Sequence, residues 1–145
     1  MNTPTVAAHT EPTLIQLLDT AARIERRLDR MLSALRGISY SEYRLLTTLA
    51  EASPEGLPRI VLAESVGLSA SAVTRALKPL EKIGCITTEK GERDARQSRA
   101  IITRAGLELL SDAKASMQDA LRVMPLNSLS AQKVTELCNR LQEMQ

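Results

Sequence analysis

Small hydroxyl side chains and basic side chains recur at helical spacing in the middle of the chain. Positions i, i+3, i+4 and i+7 share one face of an α-helix, and here they hold Ser71, Thr74, Arg75 and Lys78. An arginine can bind guanine O6 and N7 with two hydrogen bonds, and Ser or Thr can reach bases or phosphates. Lys78, one turn further along, suits a phosphate contact. The pattern predicts a helix whose N-terminal half reads the major groove of DNA.

A second group of basic side chains follows this predicted helix. Arg93, Arg96 and Arg99 share a short segment with Asp94. One arginine on such a loop can enter the minor groove, where narrow A·T tracts concentrate negative potential. Residues 69–104 carry eight Lys/Arg and four Asp/Glu, a formal charge of +4, whereas the rest of the chain carries 11 and 13, a formal charge of −2. A basic patch this localised is the electrostatic footprint of nucleic-acid binding.

Two short helical segments position the first group of side chains. One is predicted at about residues 59–66, and the next starts after Ser69, a good N-cap residue that we also place in the candidate interface. Gly67 lies in the short connection, and Gly84 ends the second segment. The inward face of that segment is apolar at steps of three and four: Val73, Ala76, Leu77, Leu80 and Ile83. This arrangement predicts a helix-turn-helix.

The segment that follows changes to a strand pattern. Residues 86–90 and 99–103 are rich in β-branched side chains and bracket a polar loop at residues 91–98. That pattern predicts a two-stranded hairpin with a long tip. This hairpin, which we call the wing, forms with the helix-turn-helix a predicted winged lobe over residues 38–103. Residues 52–58, upstream, are predicted as a loop from their Pro and Gly content.

A long amphipathic helix precedes this lobe. Apolar residues alternate at steps of three and four over residues 14–35, which is typical of a helix that packs on another helix. Gly37 ends it. Ser39 and Glu42 then have the spacing of a capping box, for a second helix over about residues 40–52. We interpret the seam of the first helix as a dimer contact, with an intramolecular core as the alternative.

Two further helices are predicted after the hairpin. They begin at the hydroxyl caps Thr103 and Ser130. The fold class is therefore predicted as α+β and mostly α, with a winged helix-turn-helix lobe and a helical dimerisation region. That region covers residues 13–37 and 104–145, and residues 1–12 are predicted as a disordered tail.

Five stretches resemble, in order and at family spacing, the signatures of the MarR (multiple antibiotic resistance regulator) family. They are Leu62-Ala63, Leu68 to Arg75, Leu80 to Gly84, Asp94-Ala95-Arg96 and Thr103 to Gly106. Each motif alone is weak, but their ordered combination over about residues 39–106 is specific, while the flanking helices match in pattern only. The resemblance implies that Arg96 reaches the minor groove and that Asp94 forms an ion pair holding the wing.

The resemblance also implies a transcriptional regulator that works as a homodimer. Such a repressor binds an inverted repeat in double-stranded DNA and leaves it when a small anionic or aromatic ligand changes the spacing of its two lobes. Tyr40 and Tyr43 are weak candidates for the lining of a ligand cleft, and a role in the core is the alternative. No cofactor is expected.

Neither an enzyme nor a membrane protein is expected. His9, the one histidine, lies in the predicted tail, which leaves no Ser-His or Cys-His pair and disfavours a zinc or iron site. No apolar run approaches the roughly 18 residues that span a bilayer, and the N-terminus lacks the basic start of a secretory signal. We therefore expect a cytoplasmic protein with reduced cysteines.

Three alternative interpretations stay open. The basic face of the predicted recognition helix can be a solvated surface, or it can bind an acidic protein partner, although protein interfaces favour apolar and aromatic centres. Asp94 and Arg96 can form a surface ion pair of little energetic value. A regulator switched by thiol oxidation is the third alternative, whereas we predict Cys85 and Cys138 to be small buried hydrophobic residues.

Overall fold

The computed structural model describes residues 7–90, 98–124 and 130–143. Within these ranges the chain forms six helices and three short strands. The helices are α1 (Ala7–Arg36), α2 (Tyr40–Glu51), α3 (Arg59–Val66), α4 (Ala70–Lys82), α5 (Arg104–Arg122) and α6 (Ala131–Gln142). The strands are β1 (Leu57–Pro58), β2 (Ile86–Glu89) and β3 (Arg99–Ile102). The predicted class, α+β and mostly α, is confirmed.

Hydroxyl side chains begin four of the helices at the predicted positions. Ser39 and Glu42 form the complete capping box of α2: Glu42 N donates to Ser39 Oγ at 3.1 Å, and Ser39 N donates to Glu42 Oε2 at 2.7 Å. Ser69, Thr103 and Ser130 each accept a backbone N–H three residues further along. These caps satisfy amides that have no partner inside the helix, and therefore define where each helix starts.

A single hydrophobic cluster joins the winged lobe to the helices that flank it. Leu45, Leu46 and Leu49 of α2 are fully buried at its centre. Around them lie buried side chains of every neighbouring element: Leu32 of α1, Leu62 of α3, Leu77 of α4, Ile86 of β2, Ile102 of β3 and Leu110 of α5. The helix-turn-helix is thus held by α2 beneath it and by the packed ends of α1 and α5.

The sheet has the order β1-β3-β2, with both pairs antiparallel. The predicted hairpin is confirmed as β2 and β3, in which Ile86 lies opposite Ile102. The loop predicted over residues 52–58 is corrected at its end, because Leu57 and Pro58 form β1 and pair with Ala100 and Arg99. A strand of two residues is too short to leave a periodic pattern, and its partner lies more than 40 residues away.

Three further expectations differ from the structure. α1 begins at Ala7, so residues 7–12 of the predicted tail are helical, while residues 1–6 lie outside the described part. Pro12 lies inside α1, where its missing N–H leaves one helical hydrogen bond unmade. Ile83 is 57% exposed rather than inward-facing, because it is the C-cap of α4 and no longer follows helical periodicity. Cys138 is exposed, since α6 buries no residue in a single chain.

Apolar side chains remain uncovered on the helices of the predicted dimerisation region. Leu14, Ile15 and Leu18 in the first half of α1 are 40%, 51% and 60% exposed. Val134 and Leu137 of α6 are each 43% exposed. Among the described residues, no single helix is long and apolar enough to cross a membrane, and only the bent pair α3–α4 reaches that length and composition.

Candidate nucleic-acid interface

The turn between α3 and α4 has the geometry of a helix-turn-helix. Gly67 adopts φ 65°, a left-handed conformation that favours glycine, and so ends α3. Leu68 N then donates to Ala63 O at 3.0 Å, and Ser69 caps α4 directly afterwards. The axes of the two helices differ by 105°, within the range of about 90–120° for this motif.

The recognition helix α4 has the two faces that its sequence predicts. Val73, Leu77 and Leu80 are buried against the core. On the other side, Ser71, Arg75 and Lys78 are exposed and Thr74 is half-buried. The structure thus brings these four predicted contact residues together on one solvent-facing surface, which we call the recognition face.

Hydroxyl groups at the start of the recognition face are held by the helix itself. Ser69 Oγ accepts from Ala72 N at 3.2 Å and lies 3.1 Å from Ser71 Oγ. Thr74 Oγ1 donates to Ala70 O at 3.0 Å. Within the described residues, Arg75 and Lys78 have no hydrogen-bond or ion-pair partner. The two cations of the face are therefore available to a partner that carries negative charge.

The base of the wing is fastened to the end of the recognition helix. Thr103 Oγ1 donates to Gly84 O at 2.6 Å, and Thr103 N donates to Cys85 O at 3.0 Å. The same Thr103 hydroxyl accepts from Gly106 N at 3.1 Å as the N-cap of α5. One side chain thus links α4, β3 and α5, and it sets the direction in which the hairpin leaves the lobe.

The predicted contact residues of the wing fall into two groups. Arg93, Asp94 and Arg96 lie outside the described residues. Arg99 is described, and its guanidinium donates through Nε to Glu55 O at 3.1 Å and through Nη2 to Gly56 O at 2.8 Å. The structure therefore places Arg99 against the chain before α3 rather than on the recognition face. Sequence reasoning missed these two acceptors, since no local pattern marks a backbone carbonyl.

Tyr40 and Tyr43, the weak candidates for a ligand cleft, are half-buried against the hydrophobic cluster. Their rings stack with centroids 6.4 Å apart. Tyr40 N also donates to Asp29 Oδ1 at 2.8 Å, which ties the start of α2 to α1. A cavity of about 430 Å³ lies elsewhere, between α1 and α5, and neither tyrosine lines it.

That cavity is lined by apolar side chains and by a few polar and charged ones. Its apolar lining comes from α1, from α5 and from the two residues that follow α5: Leu28, Met31, Leu35, Ala120, Val123 and Met124. Its polar lining is Arg27, Arg36, Ser116 and Asp119. Arg36 Nε donates to the buried Ser116 Oγ at 2.9 Å, which fixes one guanidinium at the wall. No sequence pattern indicated this cavity, because it depends on how two distant helices meet.

The two cysteines differ in their surroundings. Cys85 is buried beside the wing, and burial raises the pKa of its thiol, which leaves less of the reactive thiolate at neutral pH. Cys138 is exposed on α6. The prediction of a small buried residue is thus confirmed for Cys85 and wrong for Cys138.

A helix-turn-helix with an exposed basic face, flanked by a β-hairpin, defines a winged helix-turn-helix protein. Residues 38–98 match the MarR family. This match confirms the resemblance drawn from the motifs over the winged helix-turn-helix of the chain. None of the curated proteins matches the chain significantly.

Solved structures with the same fold cover nearly the whole chain. Sco3205, a MarR family transcriptional regulator from Streptomyces coelicolor in complex with DNA, is 27% identical at a TM-score of 0.82, over 92% of this chain and 87% of that one. The transcriptional regulator BldR from Sulfolobus solfataricus is 23% identical at a TM-score of 0.79, over 92% of this chain and 96% of that one. CouR from Rhodococcus jostii RHA1, bound to p-coumaroyl-CoA, is 23% identical at a TM-score of 0.74, over 89% of this chain and 88% of that one.

Proposed function

We propose that this protein is a homodimeric repressor that binds a specific DNA sequence and leaves it when a small ligand binds. The recognition face carries the proposal, because Arg75 and Lys78 are exposed and unpaired among the described residues. A helix buried on one side with donors on the other suits the major groove. With DNA as its partner, the protein works in the cytoplasm.

The second subunit is proposed from the uncovered helices. α6 buries none of its residues within one chain, although Val134, Leu137 and Leu141 form an apolar stripe at steps of three and four. Leu14 and Leu18 of α1 add to the uncovered apolar surface. A second copy of the chain would remove these side chains from water, at about 25 cal/mol per Å² of apolar surface.

The target site follows from the symmetry of such a dimer. Two recognition helices related by a two-fold axis meet successive major grooves, which are one helical turn apart. We therefore expect an inverted repeat with half-sites about 10 bp apart or slightly more. Arg93 and Arg96 of the wing are proposed to contact the DNA beside each half-site, and Asp94 is proposed to form the ion pair that holds the wing.

The ligand is proposed to occupy the cavity between α1 and α5. Its lining has six apolar side chains and two guanidinium groups, Arg27 and Arg36, against one carboxylate, Asp119. That chemistry fits a small molecule with an apolar body and a negative group. A ligand there releases DNA only if it binds better to the conformer whose lobes are wrongly spaced. Arg27→Met should weaken ligand binding, while Arg23→Met, on the same helix outside the cavity, should leave ligand binding unchanged.

Selection of genomic fragments with the purified protein tests the DNA-binding proposal. Fluorescence anisotropy on the selected duplex would follow, with wild type, Arg75→Ala and the control Lys114→Ala, which removes an exposed charge from α5. Arg75→Ala should lose about 1–3 kcal/mol of binding free energy, and Lys114→Ala should bind as wild type does. If no sequence is enriched and Arg75→Ala binds unchanged, the proposal is wrong, and the recognition face should be tested against acidic proteins.

A further inference from the structure

We infer that Arg99 is a positioning residue that fastens the wing to the start of the helix-turn-helix, and that it does not bind DNA itself. This inference rests on the proposed function for its consequence in DNA binding, but not for its structural content. Arg99 opens β3 at the end of the hairpin that adjoins the loop at residues 91–98. Its guanidinium binds Glu55 O and Gly56 O through two different nitrogens, at 3.1 and 2.8 Å.

The carbonyl groups that Arg99 binds belong to the connection that leads into α3. Gly56 is buried and adopts φ 66°. A Cβ atom at this position would overlap the carbonyl of Ala100, so the connection approaches the backbone of β3 as closely as glycine permits. A buried carbonyl without a partner costs free energy, and the guanidinium of Arg99 supplies that partner for Gly56.

The strand pairing continues the same attachment into the helix-turn-helix. Pro58 lies opposite Arg99 in the ladder and is also the N-cap of α3. Three features therefore hold the connection to the wing within a few residues: the β1–β3 pairing, the close approach of Gly56, and the two hydrogen bonds of Arg99. Of these, only the hydrogen bonds depend on a side chain that a mutation can remove without breaking the backbone.

This attachment sets the distance between the two parts of the interface. The recognition face follows α3 after one tight turn, and the wing extends from β3. Both must reach DNA together, and a contact residue works only when its supporting residues hold it in place. Glu89 lies opposite Arg99 on the other neighbouring strand, yet the guanidinium turns to the carbonyl groups of the connection. A free surface cation would have the carboxylate or water as its partner.

Hydrogen exchange of the DNA-free protein tests the attachment directly. Arg99→Met keeps a long unbranched side chain and removes the donors, and Arg104→Met removes a neighbouring exposed arginine that pairs only locally with Glu108. The amides of residues 55–57 should exchange about tenfold faster in Arg99→Met, because local opening of this connection is easier. They should be unchanged in Arg104→Met. Equal exchange in wild type and Arg99→Met would overturn the inference.

DNA binding across a salt series separates positioning from phosphate contact. Arg99→Lys keeps the charge but replaces the planar group, which reaches two carbonyls with two nitrogens, by a single ammonium. If Arg99 positions the wing, Lys and Met variants both weaken binding by about tenfold, or about 1.4 kcal/mol, and the salt slope is unchanged. If Arg99 binds phosphate, Arg99→Lys binds as wild type does, and Arg99→Met lowers the slope by about 1.8 per dimer.

Hydrogen exchange and DNA binding test two separate claims, so a negative result in one leaves the other decisive. If the wild type binds no DNA at all, the proposed function is wrong, and hydrogen exchange still decides whether Arg99 holds the connection. If Arg99→Met does not fold, Arg99→Lys carries the exchange comparison, because it too lacks the two-nitrogen geometry. Wild-type exchange at residues 55–57 in the folded Lys variant would then contradict the attachment.

Discussion

The substitution Gly106→Ala separates helix propensity from tertiary contact, because the two predict changes of opposite sign in the free energy of unfolding. Gly106 lies in the first turn of α5. Propensity alone predicts that alanine stabilises a helix by up to about 1 kcal/mol relative to glycine. The structure predicts the reverse, since a Cβ atom at this position would overlap the carbonyl of Cys85 and come within 2.7 Å of Ile102 Cγ1. The Cys85 carbonyl cannot move freely, because it accepts the Thr103 N–H.

The expected loss of stability follows from the displacement of α5 that the added methyl group requires. Overpacking a core site costs about 1–3 kcal/mol, and moving α5 away from Cys85 also weakens the cap between Gly106 N and Thr103 Oγ1, worth about 1 kcal/mol. After the propensity gain is subtracted, we expect a loss of about 2 kcal/mol in the free energy of unfolding. For a chain of this size that lowers Tm by roughly 4–8 °C.

Thermal unfolding followed by circular dichroism at 222 nm measures this loss. Wild type and variant must be compared at equal concentration, because dimer stability depends on it. Thr103→Ala is the comparison variant: it adds no atom, but it removes both the cap and the hydrogen bond to Gly84 O, and should cost about 2 kcal/mol. A Gly106→Ala protein as stable as the wild type, or more stable, would refute the reasoning that the close approach to Cys85 O requires glycine at position 106.

Three further predictions concern other parts of the molecule. Leu137→Asp should shift the protein toward monomer in sedimentation velocity without loss of helix content, because it charges the uncovered stripe of α6; an unchanged dimer would place the subunit contact elsewhere. In the monomeric Leu137→Asp variant, a thiol reagent at pH 7.5 should modify the exposed Cys138 much faster than Cys85, because burial raises the pKa of the Cys85 thiol; faster labelling of Cys85, measured by mass spectrometry of the labelled peptides, would contradict this prediction. Ser39→Ala should cost about 1 kcal/mol in urea unfolding by breaking the capping box with Glu42, and a cost near zero would show that this cap contributes nothing.

The helices and the recognition face were predictable from the sequence because their signals are local. A hydroxyl cap such as Ser69 or Thr103 satisfies amides two or three residues away, and helical periodicity places apolar side chains on one side. Gly67 ends α3 through its own backbone conformation. Residues close in sequence therefore carried enough information to predict the helix-turn-helix, the hairpin and the exposure of Arg75.

Tertiary structure decided everything that depends on segments distant in sequence. β1 exists only because β3 lies beside it, and Arg99 turns from a predicted DNA contact to the carbonyl groups of the connection before α3. The cavity between α1 and α5 has the same origin. Local periodicity specifies which face of an element is apolar, whereas the partner of each polar group is chosen by packing, since every buried carbonyl must find a donor in three dimensions.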